Sequence, residues 1–176
     1  ENDEIAAHEN AYACQDCGQA VLFVSAGQDL HVSGNLTAAL NKAVELGYET
    51  ARKSVADPLT RTNTQTNTPA IIHYDIVSGD RLEVRYMAKG AGSENMSRIY
   101  MLTPSKGING IIESAVDCVK RAGSSPCPPV ILGVGIGGTM DVAALLSKKS
   151  LVYESENKRA DELELERKIL EAVNRT

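Results

Sequence analysis

Four cysteines, Cys14, Cys17, Cys118 and Cys127, offer this chain its widest choice of chemistry. Cys14-Gln-Asp-Cys17 has C-x-x-C spacing, which serves a redox pair or half of a zinc site. A redox pair belongs after a strand in a βαβ context, whereas this one precedes a strand-like run. A zinc site needs a second close pair or nearby histidines. Cys118 and Cys127 stand apart, and His8, His31 and His73 carry no ligand spacing. Neither use is well supported by its context. Cys127 is different, because it lies between prolines in Pro126-Cys-Pro-Pro129. Those prolines hold the loop extended and give a thiolate one direction, as a metal ligand requires. The plainer alternative is a cysteine that acts only as a small hydrophobe.

The same stretch runs on as VILGVGIGGTMD, and Gly133, Gly135 and Gly138 satisfy G-x-G-x-x-G. Glycines let backbone N–H groups approach a phosphate at the start of a helix. A dinucleotide site also needs an acidic residue at the end of a second strand about 20 residues on. Leu151-Val-Tyr-Glu154 stands there, but it is short and polar, and no further βα unit follows. Glycines serving tight strand–helix packing account for the motif more simply.

The elements that must hold these residues can be read from periodicity. Residues 1–13 suggest a partial helix or a disordered lead-in. Ala20–Val24 (AVLFV) reads as a buried strand. Leu36, Leu40, Ala43, Val44, Tyr48 and Ala51 have helical spacing behind an N-cap at Asn35. Residues 54–69 form a long polar loop rich in Thr and Asn. Ala70–Val77 and Arg81–Ala88, separated by Ser78-Gly-Asp80, predict a β-hairpin. Lys89-Gly-Ala-Gly-Ser-Glu-Asn95 reads as a glycine-rich loop, and Arg98–Leu102 as a short strand. Ile108, Ile111, Ile112, Ala115, Val116 and Val119 line one face of an amphipathic helix that Gly123 ends. Pro129–Val134 predicts a strand, and helices are expected over Thr139–Ser147 and Ala160–Val173. The pattern is α/β: a mixed sheet with flanking helices, within one domain or two small subdomains.

Composition narrows the partners. The chain has 176 residues, 43% hydrophobic and 23% charged, which is ordinary for a globular protein. A net charge of −5 disfavours nucleic acid and anionic membranes as main partners. Trp is absent and Phe occurs once, so no platform for stacking bases is expected. No apolar run reaches the roughly 18 residues of a membrane span, and the sequence does not open on a signal peptide. The scattered cysteines suggest a reducing, cytoplasmic setting. Both ends read as cut, so a fragment or one subunit of a larger protein is expected.

Taken together, three stretches resemble one family: Cys14-Gln-Asp followed by Gly27-Gln-Asp29, Lys89-Gly-Ala-Gly-Ser-Glu-Asn95, and Cys127-Pro-Pro with Val134-Gly-Ile-Gly-Gly138. Arg52-Lys-Ser-Val55, Asp57-Pro-Leu59, Asn67-Thr-Pro69 and Ala143-Ala-Leu-Leu-Ser-Lys-Lys149 extend the likeness over nearly all of residues 10–175. The chain resembles the N-terminal catalytic region of class I fumarate hydratase. In particular it is similar to the alpha subunit of the two-subunit fumarase and tartrate dehydratase type.

The resemblance implies an iron–sulfur hydro-lyase. It would reversibly hydrate fumarate to malate, a step of the tricarboxylic acid cycle, or dehydrate tartrate. Such enzymes hold a 4Fe–4S cluster through three cysteines and leave one iron open as a Lewis acid. Cys14 and Cys127 match two ligands, and the third is expected in sequence beyond this chain. Arg52 matches an arginine that contacts a substrate carboxylate, a task suited to a guanidinium fork. Gln15 matches a substrate-binding residue, and Asp16 a catalytic residue that orients a hydroxyl or moves a proton. Gly90 and Gly92 match a turn whose N–H groups meet substrate. The family's C–H base, a threonine, belongs to the other region or to a beta subunit. The expected partners are that beta subunit or C-terminal region, a small dicarboxylate, and further copies of the assembly.

One departure stands out: the family has Thr where this chain has Cys17, which reads as a neutral replacement, with a spare thiol or a substitute ligand in damaged clusters as the alternatives. Cys118 reads as structural. The chain alone is not expected to be a competent enzyme. The rival expectations are an assembly module that holds no intact cluster by itself and a dinucleotide-dependent oxidoreductase.

Overall fold

The computed structural model describes residues 2–11, 18–153 and 159–176. Contacts divide the chain into two compact units, Glu1–Glu94 and Asn95–Thr176.

The first unit is built around the apolar run. Strand β1 (Gln19–Gly27) lies between β2 (Ile71–Val77) and β3 (Leu82–Lys89). It pairs parallel with β2, Val21 opposite Ile71, and antiparallel with β3, Gln19 opposite Lys89. Ala20, Val21, Phe23 and Val24 are fully buried, as expected of a central strand covered on both faces. Each large apolar side chain buried there contributes roughly 1.5–3 kcal/mol. On one face, Ala20, Leu22 and Val24 pack with Val44, Tyr48 and Ala51. Phe23, on the other, stacks on His73 with ring centroids 5.3 Å apart.

Val44 lies on α2 (Leu36–Gly47), whose N-cap is Asn35: its side chain accepts a 3.0 Å bond from the N–H of Ala38. Such a cap stabilises a helix by about 1 kcal/mol. At the other end the ammonium of Lys53 donates to the carbonyls of Tyr48 and Glu49. A short helix, α1 (Asn2–His8), precedes the sheet.

The fold departs from four sequence expectations. β2 and β3 do not form a hairpin, because β1 lies between them. The Ser78–Asp80 turn instead crosses the end of β1, where the N–H of Gly27 donates to Arg81 O and that of Asp29 to Gly79 O. The glycine-rich loop after β3 contains a short helix, α3 (Ala91–Asn95). Arg98–Leu102 and Pro129–Val134 run as irregular chain, not strands, since neither pairs in a ladder among the described residues.

In the second unit, α4 (Gly107–Ala122) packs against α6 (Ala160–Val173), burying Ala115, Ala122 and Ile169. Gly123, at φ +53, ends α4. The stretch leading to α5 (Met140–Lys149) lies directly on that helix. A Cβ on Gly135 would stand 2.1 Å from Ala143 O, and one on Gly133 would stand 2.2 Å from Ser147 O. The glycines of the G-x-G-x-x-G stretch thus include two that let backbone meet helix backbone.

Candidate functional site

Cys14, Gln15, Asp16 and Cys17 lie outside the described residues. Gly18, the next residue, is buried and has φ +68. A Cβ there would lie 1.9 Å from Lys89 O and 2.6 Å from Gly90 N. Only glycine permits this approach, which seats the residue after the cysteine motif on the start of the Gly90–Gly92 turn.

That turn is held from within. The Gly90 carbonyl accepts from the N–H of Glu94 at 2.9 Å and from the Ser93 hydroxyl at 3.1 Å. The Lys89 ammonium, with its side chain only 14% exposed, donates to Ser93 Oγ at 2.7 Å and lies 3.4 Å from a Glu94 carboxylate oxygen. A partly desolvated ammonium sits beside the turn, with a hydroxyl and a carboxylate to satisfy it.

Arg52 follows the buried Ala51 and is exposed. The polar loop after it is anchored by Asn67, a fully buried residue. Its Oδ1 accepts from the N–H groups of Ser54 at 2.6 Å and Val55 at 3.2 Å, and its Nδ2 donates to Arg52 O at 2.8 Å. Farther along, Ala56 bridges to Asn63. Hydrogen bonds hold the Asp57 carboxyl below its usual range, chiefly the backbone N–H of Thr60, then its hydroxyl and the N–H of Leu59. This is turn geometry, not an acid–base device.

Cys127 belongs to the second unit and is exposed, directly after the buried Pro126. Cys118 is partly buried, and its thiol points to Met96 O at 3.6 Å. Burial pushes that thiol up, against the pull of Arg98. Beside it, Tyr100 OH donates to Asp117 at 2.7 Å, and Arg121 Nε donates to the same carboxylate at 2.9 Å. Arg121 and then Tyr100 hold Asp117 below the usual carboxylate range. Burial, reinforced by Asp117, pushes the Tyr100 phenol up to about 12.

A concavity of about 330 Å³ beside α2 is lined by Leu22, Leu40, Val44, Tyr48, Val84 and Tyr86 among others. It offers no charged group and does not suit a dianion.

The family described as Fumarate hydratase (Fumerase) matches residues 1–176. The chain belongs to that family. It is 37% identical to "Putative L(+)-tartrate dehydratase subunit alpha" of Methanocaldococcus jannaschii, over 99% of this chain and 65% of the relative. It is 32% identical to L(+)-tartrate dehydratase subunit alpha of Escherichia coli (strain UTI89 / UPEC), over 94% of this chain and 57% of the relative. The corresponding Shigella boydii subunit is 31% identical over the same shares. The chain therefore spans 57% to 65% of the length of these curated relatives.

An iron–sulfur cluster needs soft, accessible thiolate donors. Cys127 fits by chemistry and exposure, whereas Cys118 is turned into its own unit. Among the described residues no group of three or more His, Cys, Asp or Glu could hold a metal ion. Among the described residues Cys127 is thus the thiol whose chemistry and exposure suit such a donor. Of the residues expected from sequence, the first unit holds Arg52, Gly90 and Gly92, and the second holds Cys127. Sequence reasoning assigned no role to Lys89 and none to Asn67. The cue available for Asn67 was its residue type near the end of a polar loop, since Asn tolerates the left-handed region; its φ is +56.

Proposed function

We propose that this chain is the cluster-bearing part of a fumarase-like hydro-lyase. The enzyme would reversibly hydrate fumarate to malate or dehydrate tartrate. The family match over the whole chain carries this reading, and the subunit names of the relatives support it. Those names also favour assembly with a beta subunit, and the assembly would contain more than one copy of this chain.

In this reading Cys14 and Cys127 are cluster ligands, and a third comes from outside this chain. When bound, a 4Fe–4S cluster supplies Lewis-acid stabilisation of the substrate oxygen that leaves as water. The chain's own residues do the rest. The Arg52 guanidinium grips one substrate carboxylate with two parallel N–H bonds. N–H groups of the Gly90–Gly92 turn and the Gln15 amide hold the remaining oxygens. Asp16 accepts or returns the proton at the hydroxyl. Lys89 keeps the turn closed through Ser93, its charge balanced by Glu94.

The test is anaerobic reconstitution of the assembled enzyme with iron and sulfide, comparing it with its Cys127→Ala and Cys118→Ala variants. Iron, acid-labile sulfide and the broad thiolate–iron absorbance near about 400 nm are measured. Cys127→Ala should lose all three signals and Cys118→Ala should keep them. Equal uptake by all three proteins would remove Cys127 from the ligand set.

A further inference from the structure

We infer that Asn67 is the positioning residue of Arg52, fixing the backbone from which the guanidinium reaches a substrate carboxylate. This rests on the proposed role of Arg52. The argument begins with burial. Asn67 is 0% exposed, so every polar atom of its amide must find a partner inside the protein. It finds them on one short segment. Nδ2 donates to the carbonyl of Arg52 itself, and Oδ1 accepts from Ser54 and Val55. One side chain therefore brackets the peptide groups that follow the Arg52 Cα.

The other side of that Cα is also fixed, because Ala51 is a member of the core cluster of α2 and β1. A second amide reinforces the bracket: Asn63 Nδ2 donates to Lys53 O at 2.9 Å. The Lys53 ammonium is occupied at the end of α2. The Arg52 side chain is treated in the opposite way. It is exposed, and among the described residues its guanidinium has no hydrogen-bond or ion-pair partner. A clamped backbone with an open cationic head favours carboxylate capture, since only the side chain's own freedom is left to lose on binding.

Three bonds to backbone could also serve stability alone, so the test must separate the two roles. In the assembled enzyme, KM, kcat and melting temperature are measured for Asn67→Gly, Arg52→Ala and the double variant. Glycine suits the left-handed backbone at position 67, so this change removes the amide without adding strain. Asn67→Gly should raise KM about tenfold while kcat changes far less, the size expected from misplacing a charge-assisted contact. In the Arg52→Ala background it should leave KM within about twofold, because the residue it positions is gone. The loss in melting temperature should be the same in both backgrounds. Should Asn67→Gly not fold, Asn67→Asp replaces it, keeping the accepted bonds and losing the donor to Arg52 O.

A KM increase of equal size in both backgrounds overturns the inference and leaves the role of Arg52 standing. So does an unchanged KM in Asn67→Gly when Arg52→Ala raises it. If Arg52→Ala itself leaves KM unchanged, the site reading fails and the inference falls with it. Amide exchange gives a readout apart from activity. Ser54 and Val55 N–H should exchange faster in Asn67→Gly, and unchanged protection there would overturn the bracket itself.

Discussion

Replacing Gly18 by alanine tests the joint between the cysteine motif and the Gly90 turn. Two costs are expected, and the protein contains a control that separates them. The first is conformational: Gly18 has φ +68, and alanine in the left-handed region costs roughly 1–2 kcal/mol. Gly34 has φ +90, but a Cβ added there would meet nothing within 4 Å, so Gly34→Ala carries that cost alone. The second is steric and belongs to Gly18. Its Cβ would meet Lys89 O at 1.9 Å, Lys89 C at 2.2 Å and Gly90 N at 2.6 Å. These are backbone atoms at the end of a paired strand, and they cannot swing aside as a flexible side chain would. Overpacking of this kind adds about 1–3 kcal/mol. Gly18→Ala should thus cost roughly 2–5 kcal/mol, against roughly 1–2 for Gly34→Ala. For a chain of this length each kcal/mol lowers the melting temperature by roughly 2–4 °C, so a drop near 10 °C is expected for Gly18→Ala. Urea titrations and thermal melts followed by far-UV circular dichroism read both variants. Shifts that agree within about 0.5 kcal/mol would refute the close packing of Gly18 on the Gly90 turn.

Three further outcomes are expected. Gly135→Ala places a methyl 2.1 Å from Ala143 O, so it should destabilise the second unit by about 2–3 kcal/mol. Gly137→Ala, with φ +88 and open space, should cost about 1 kcal/mol, and denaturant midpoints compare the pair. Tyr100 is neutral in its bond to Asp117 and its folded pKa is raised to about 12, so its stabilisation is present below the ordinary phenol range. That contribution should fall as pH rises from about 10 towards 12, and a Tyr100→Phe variant should lack this part of the alkaline loss in pH-dependent melts. Exposed Cys127 should alkylate with iodoacetamide at least about tenfold faster than Cys118, whose raised pKa and partial burial withhold the thiolate. Peptide mapping over time would show the order.

The longer helices were legible in the sequence, because each carries its own evidence, whereas the short α3 was not. Asn35 announces α2, the isoleucine stripe draws α4, and Gly123 closes it. Strands carry only half of theirs. AVLFV shows that β1 is buried, but nothing local tells which strands flank it, and the turn at Ser78–Asp80 suits a hairpin as well as a crossing. Arg98–Leu102 and Pro129–Val134 have strand composition, yet a strand also needs a partner's hydrogen bonds. At the site, motif residues were legible through resemblance, and their supports were not. Asn67 and Lys89 act through contacts with backbone and side chains whose geometry appears only in the fold.

The central place of β1 has a consequence for biosynthesis. Its run of buried apolar residues leaves the ribosome well before Ile71–Val77 and Leu82–Lys89, the two segments that flank it in the finished sheet. Until those arrive, α2 is the nearest following helix that can shield it, and α2 covers a single face. Five apolar residues, three of them of high β propensity, waiting with both edges bare, are an aggregation hazard that chaperones are suited to cover. The strand most deeply enclosed in the native protein is the one its nascent chain must guard longest.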